Sequence, residues 1–387
     1  MLKAAVIFEG SPFDRKGLFN AVQNRVIHLQ ETGRCMVDTY CIHSWDTAFT
    51  RKVRHTPYIP EKQDFVSVEG LSCRMLWYDF SILDHIMVEK LERRPFFFSR
   101  FIERTVPVLK GYDVIIAHSF TGALVAYEAH KRYGIPYHVT WHGSDIHTHP
   151  VRNGLIRKDT SVVMENASCN FFVSNALMRQ SDDLTANAVK KVLYNGISER
   201  FMRFPDDVRN ELRQRYGLAP DEKVVAFVGS IVAVKNVHVL QPLFHAIKAA
   251  YDGRLKFWMV GDGKLRDSVE PSLKADKTID VKLWGNISPE EMPEVMNCID
   301  VMVLPSLNEG LPLVCAEAVR CGANVVGADV GGIPEVIGKE YVVPHGDGFV
   351  MGMSNKVLGL LDTRPVQQIP EDFDWKRTAE LEMDYIS

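Results

Sequence analysis

Val301-Met302-Val303-Leu304-Pro305-Ser306-Leu307-Asn308-Glu309-Gly310-Leu311-Pro312-Leu313-Val314-Cys315-Ala316-Glu317-Ala318-Val319-Arg320 holds a strand, a loop and a helix in one short run. The unbroken apolar residues 301–304 predict a buried strand of the kind found in parallel sheets covered on both faces. Pro305 and Ser306 end that strand. Pro312 marks the start of a helix, because the missing proline N–H would lack a partner in the first turn anyway. The amides of Leu313 and Val314, with the positive end of the helix dipole, then form a ready anion site that suits a diphosphate. Glu309 falls in the loop and Glu317 on the second helical turn. Carboxylates there can accept hydrogen bonds from sugar hydroxyls.

The same alternation runs outward in both directions. Residues 4–8, 114–117, 137–141, 170–173 and 191–194 read as buried strands, as do 224–228, 256–260, 281–284, 301–304 and 323–327. Stretches with helical periodicity, such as 18–31 and 314–320, lie between them. Strands alternating with helices imply parallel α/β sheets, and ten such strands exceed one compact sheet. Two Rossmann-like α/β domains are therefore expected, 1–200 and 201–371. The turn signals Asn195-Gly196-Ile197 and Pro205-Asp206-Asp207 mark the boundary, and a fresh helix follows over 208–216. A helix over 374–385 starts from an acidic cap.

A length of 387 residues, 46% hydrophobic and 24% charged, is ordinary for a globular chain with two domains. No apolar run approaches the roughly 18 residues that a membrane-spanning helix needs. The apolar start of the chain stops at Glu9 without a small-residue cleavage site, and reads as a first core strand rather than a signal peptide. Seven scattered cysteines with no Cys-x-x-Cys argue for buried free thiols in a reducing, cytoplasmic compartment. Residues 1–205 carry 26 Lys+Arg against 21 Asp+Glu, a balance of +5. Residues 206–387 carry 19 against 28, a balance of −9. The first half is thus the one suited to an anionic surface. No zinc finger or long basic run points to nucleic acid.

Several short pieces, in order along the chain, resemble one family. Glu309 and Glu317, separated by seven residues after a Pro-Ser strand end, resemble the signature of retaining GT-B glycosyltransferases of the glycogen-synthase-like and mannosyltransferase-like group. Residues 229–235 resemble its Gly-Arg-x-x-x-x-Lys phosphate motif. Val260-Gly261-Asp262-Gly263 and Trp284-Gly285-Asn286 resemble its nucleoside-binding turns. His142-Gly143-Ser144-Asp145, Val173-Ser174 and Asn195-Gly196-Ile197 resemble its N-domain landmarks. The resemblance covers nearly the whole chain.

It implies a GT-B fold, two Rossmann-like domains facing across a cleft, with the last helix, 372–387, completing the first domain. It implies a sugar transferred with retention from a nucleotide-sugar donor to a glycan or lipid-linked acceptor, with no metal or other cofactor. Glu309 would hold the donor sugar's hydroxyls, helped by the amides of Gly310 and Leu311. Glu317 would hold the ribose. Lys235 would neutralise the leaving diphosphate, and His142 would approach the sugar from the other domain. Gly17 would let backbone approach the phosphate, Gly261 would shape a nucleoside turn, and Asn286 and Ile287 would border the base.

The chain departs from the family at Ser230, which replaces the motif's arginine, at Asn236, and at Lys16, which replaces the first of two loop glycines. Two other readings stay open: a non-catalytic or weakly active nucleotide-sugar-binding partner, suggested by the loss of that arginine, and a GT-B nucleotide-sugar isomerase. A nicotinamide fingerprint is excluded, since Gly261-x-Gly263 lacks its third glycine. Asp372-x-Asp374 reads as a helix cap rather than a metal site. His142, His147 and His149 lie close together but lack helical ligand spacing. Finally, residues 90–110 set Lys90, Arg93, Arg94, Arg100, Arg104 and Lys110 beside Phe96, Phe97, Phe98 and Phe101. That pattern fits an anionic membrane surface, and equally an amphipathic helix whose phenylalanines fill the core.

Overall fold

The computed structural model describes residues 1–13, 17–54, 56, 58–68, 70–363 and 365–387. The chain divides into two compact units, residues 1–196 with 372–387 and residues 197–371.

The first unit holds an eight-stranded sheet: β1 Leu2–Glu9, β2 Cys35–Asp46, β3 Phe65–Val68, β4 Leu71–Phe80, β5 Val114–His118, β6 Tyr137–Trp141, β7 Cys169–Phe172 and β8 Lys190–Val192. Their order is β3-β4-β2-β1-β5-β6-β7-β8, and every neighbouring pair is parallel except β3 with β4. β1 is central and fully apolar inside, with Ala4, Val6 and Phe8 in one core with Val22, Val26 and Leu29 of the helix Gly17–Glu31. Each such fully buried large side chain contributes about 1.5–3 kcal/mol. Chain order moves from β1 toward β3, then restarts at β5 on the other side of β1. The gap between β1 and β5 is therefore a topological switch point, where α/β sheets bind ligands at their carboxyl ends.

The closing helix Trp375–Ile386 belongs to this unit. Asp374 caps it, its side chain accepting from the Arg377 amide at 2.8 Å. Asp372 pairs with Arg377 at 2.9 Å. Ala379, Met383 and Ile386 join the β1 core. Its Glu382 lies 3.2 Å from Arg25 of the first helix, both side chains fully buried.

The second unit holds β9 Lys223–Val228, β10 Leu255–Val260, β11 Val281–Gly285, β12 Val301–Leu304, β13 Asn324–Ala328 and β14 Val342–Val343. All pair in parallel, in the order β11-β10-β9-β12-β13-β14. Here the switch point lies between β9 and β12. Strands β9, β10, β12 and β13 are almost wholly buried, as their apolar runs require.

Candidate active site

The loops at the carboxyl ends of β9, β10, β12 and β13 are stitched together by their backbones. Gly229 donates to the Val260 carbonyl at 3.0 Å and Ile231 to the Asp262 carbonyl at 2.9 Å. Leu307 donates to the Val234 carbonyl at 2.7 Å, bridging the switch point. Two glycines permit this approach. A Cβ on Gly261 would sit 2.0 Å from the Gly229 carbonyl oxygen, and one on Gly331 would sit 1.9 Å from that of Glu309. Both have positive φ, +128° and +53°, which side chains disfavour.

Across this crevice the structure brings together two residues the sequence singled out. Lys235 Nζ lies 2.5 Å from Glu309 Oε1. Ser306 Oγ donates to the same oxygen at 2.6 Å, and His345 Nε2 lies 2.9 Å from the Ser306 carbonyl. Glu309 Oε2 has no partner among the described residues, which leaves it open to a ligand hydroxyl. Lys235, a three-proton donor, can serve Glu309 and a phosphate together.

The helix Leu313–Arg320 begins immediately beyond, but one expectation needs correcting. The Leu313 amide is not available to an anion, because it donates to the Leu311 carbonyl at 3.0 Å, and Pro312 sits at the cap. The dipole end remains, with Val314 one residue further in. Gly310 is buried, Leu311 half-buried and Asn308 Oδ1 buried without a partner. Glu317, half-buried on the helix, has its carboxyl pushed up to about 7 by burial, against an opposing pull from Arg200. Ser230 is exposed at the β9 end, and Asn286 is exposed and Ile287 half-buried just past β11. The Gly261 amide donates to the Gly285 carbonyl at 2.8 Å and ties that loop to the others.

In the first unit, Gly17 opens its helix with no atom within 4 Å of where a Cβ would stand, so packing does not demand glycine there. Lys16 lies outside the described residues. His142 follows β6, and its amide donates to the Asp145 carboxylate at 3.2 Å. Burial, then Arg25, pushes its imidazole down to about 3. Its Nε2 lies 3.0 Å from Nδ1 of His118, the last residue of β5. His147 Nδ1 contacts Thr148 Oγ1 at 2.8 Å. Among the described residues no three His, Cys, Asp or Glu side chains cluster as metal ligands.

The two ends of the segment 90–110 differ in burial. Phe96 and Phe97 are exposed, whereas Phe101 and Ile102 are buried in the helix Phe98–Thr105. Arg94 pairs with Asp159 at 2.8 Å, and Arg104 donates to the Trp77 carbonyl, so both act as anchors. Exposed Leu83 and Ile86, on the helix Ile82–Glu89, and Leu91 extend the apolar surface upstream. No helix among the described residues is long and apolar enough to cross a membrane.

Two family models match this chain, one in each unit: "Glycosyl transferase 4-like domain" over residues 47–196 and "Glycosyl transferases group 1" over residues 208–356. The chain belongs to the GT-B glycosyltransferases. A sucrose-phosphate synthase from Thermosynechococcus elongatus has the same fold, with a TM-score of 0.71 at 18% identity, covering 100% of this chain and 94% of that one. Anabaena HepE in complex with UDP gives a TM-score of 0.67 at 17% identity, covering 100% and 96%. By sequence, the GT-B chain is 30% identical over 266 residues to the N-acetyl-alpha-D-glucosaminyl L-malate synthase of Bacillus anthracis, covering 65% of this chain and 66% of that protein. It spans about half to two thirds of the length of the curated relatives it matches.

Sequence reasoning missed Ser306, Gly331, His345 and His118. Gly331-Gly332 after the apolar run of β13 was a readable signal, because paired glycines past a buried strand mark close backbone approach. Ser306 bonds Glu309 only three residues away, but a serine that ends a strand carries no signal of that role, and His345 and His118 are single residues whose partners lie far away in sequence.

Proposed function

We propose that this chain is a retaining glycosyltransferase that moves a sugar from a nucleoside diphosphate to an acceptor hydroxyl. The observation that carries this reading is the Lys235–Glu309 pair, set across the β9/β12 switch point beside the start of the helix Leu313–Arg320. In this reading the sugar–phosphate C–O bond breaks and the diphosphate gains negative charge. The Lys235 ammonium and the helix dipole stabilise that charge where it develops. Glu309 Oε2 accepts from a sugar hydroxyl, and Glu317 accepts from the ribose. His142, in the first unit, offers a hydrogen bond to a sugar hydroxyl. The acceptor attacks on the face the diphosphate leaves, with a phosphate oxygen taking its proton, and no metal is required. The complexed UDP named for HepE supports a nucleotide-sugar donor.

The acceptor is a glycan or a lipid-linked glycan, in glycan or polysaccharide synthesis. Seven buried free thiols support a reducing, cytoplasmic setting. The exposed Leu83, Leu91, Phe96 and Phe97 beside the exposed Lys90, Arg93 and Arg100 support peripheral binding to an anionic membrane.

The test is turnover of UDP-, GDP- and ADP-sugars with and without acceptor. Free nucleoside diphosphate released only with acceptor, and a product whose anomeric configuration matches the donor, is the expected result. Release without acceptor, an inverted product, or no donor binding at millimolar concentration would overturn it.

A further inference from the structure

His142 does not stand alone. His118 ends β5 and is completely buried, with its Nδ1 3.0 Å from His142 Nε2 and the two rings stacked at 30°. His118 Nε2 is also buried and has no hydrogen-bond partner among the described residues. Ser119, the next residue, holds a left-handed φ of 63°. A non-glycine residue keeps such a backbone only where surrounding structure fixes it. The strained turn sets His118 at the strand end, directly before the helix Ser119–Tyr133.

Both rings are neutral. Burial disfavours the charged form of each, and the buried Arg25 guanidinium acts against protonation of both. Between two neutral imidazoles joined by one hydrogen bond, one nitrogen donates and the other accepts. If His118 carried its proton on Nε2, that N–H would be an orphaned buried donor. With the proton on Nδ1, the orphan is only an unused lone pair, and buried N–H groups are the ones least often left unpaired. His118 Nδ1–H therefore donates, and His142 Nε2 accepts. The remaining His142 proton then sits on Nδ1, an atom bonded by no described residue.

We propose that His118 is a positioning residue that fixes His142 in its Nδ1–H tautomer, so that His142 meets a bound sugar as a hydrogen-bond donor to an oxygen and not as a base. This rests on the sugar-binding reading of His142, but the tautomer can be measured without any substrate.

The experiment is heteronuclear NMR of the imidazole nitrogens in the full chain, with kinetics of two variants. Wild type should show His142 protonated on Nδ1 and His118 likewise. His118→Asn places an amide donor where Nδ1 was, so it should keep the His142 signature and most of kcat/KM. His118→Phe removes the donor, so the His142 tautomers should mix and kcat/KM fall roughly tenfold, about one hydrogen bond's worth. His142 protonated on Nε2 in wild type, or an unchanged signature in folded His118→Phe, overturns the proposal even if turnover is normal. An unchanged signature in His118→Asn with no turnover in any form would instead count against the transferase reading alone.

Discussion

Lys235 Nζ and Glu309 Oε1 lie 2.5 Å apart although 74 residues separate them in the chain. The contact closes the switch point of the second sheet, and both side chains are largely buried, at 18% and 12% exposed. Neither partner can be removed without leaving the other charge poorly compensated. Lys235→Ala and Glu309→Ala should each lower turnover by roughly a hundredfold or more, about 2.7 kcal/mol of transition-state stabilisation. Each should also cost about 1–3 kcal/mol of stability from the partner left behind. The double variant should cost less stability than the two singles summed. Kinetics with thermal unfolding of all three forms checks this, and wild-type turnover in either single variant would remove the pair from the site.

Gly331→Ala tests how closely the loops must approach. Its Cβ would meet the Glu309 carbonyl oxygen at 1.9 Å, and backbone rather than a flexible side chain has to yield. The expected outcome is a folded but destabilised chain whose donor affinity falls with Glu309 displaced. Gly17→Ala is the matched control, since nothing stands near its Cβ. Equal donor titrations for Gly331→Ala and wild type would show that loop contact to be irrelevant to binding.

How much of this was legible depended on which pattern each element carried. Residues 301–320 could be read directly because β12 is an unbroken apolar run ended by proline. β4 was missed because its signal alternates: Leu71, Cys73, Met75 and Trp77 are buried while Ser72 and Arg74 are exposed. A search for continuous apolar runs passes over such a strand. β2 was missed for a related reason, since Asp38, Thr39 and His43 interrupt its apolar centre. At the site, residue types placed around a helix start pointed to Glu309 and Glu317, whereas Lys235 came only from the resemblance of residues 229–235 to a family motif. The Leu313 amide could not be judged from sequence, because a proline cap predicts the helix start but not the tight turn that ties that amide to Leu311. The two ends of 90–110 could not be separated either, since Phe96 and Phe101 differ only in what lies against them.

Vesicle binding should follow the exposed residues and not the anchored ones. Leu83→Ser, Phe96→Ser and Phe97→Ser together, or Arg93 and Arg100 neutralised together, should weaken sedimentation with anionic vesicles. Each basic residue near such a surface is worth about 1 kcal/mol, and salt should weaken binding further. Arg94 and Arg104 serve Asp159 and Trp77, so their loss should register in stability first. Equal binding to neutral and anionic vesicles would count against the electrostatic component. No binding by wild type would remove the membrane from the account.

Ser230 stands exposed where the family motif carries arginine, at the rim of the crevice that holds Lys235. Ser230→Arg should tighten donor binding, and because the position is exposed the gain should be nearer tenfold than a hundredfold. Calorimetric titration of a nucleotide sugar reads the change. Weaker binding in the variant would mean that the serine itself fits the donor.

Glu317 gives a pH dependence with a definite sign. Its carboxyl titrates near 7 in the folded chain because burial penalises the charge, against 4.5 for an unperturbed glutamate. Between those values the folded chain holds a proton that the unfolded chain has lost. Stability from this group is thus fully present below about 4.5, falls as pH rises toward 7, and is level above it. Glu317→Gln should flatten that slope and unfold at higher temperature than wild type above pH 7. Donor binding should run the other way. An ionised Glu317 accepts from ribose hydroxyls better than a protonated one, so affinity should rise with pH up to about 7 and then level off. Arg200 favours the ionised form, so Arg200→Met should move that midpoint upward. Calorimetric titration across pH 5.5 to 8.5, a span of roughly 1.5 units on each side of the midpoint, measures the curve. Donor affinity that is flat across the range in wild type, or that keeps its slope in Glu317→Gln, would separate Glu317 from the ribose and leave its raised pKa a matter of burial alone.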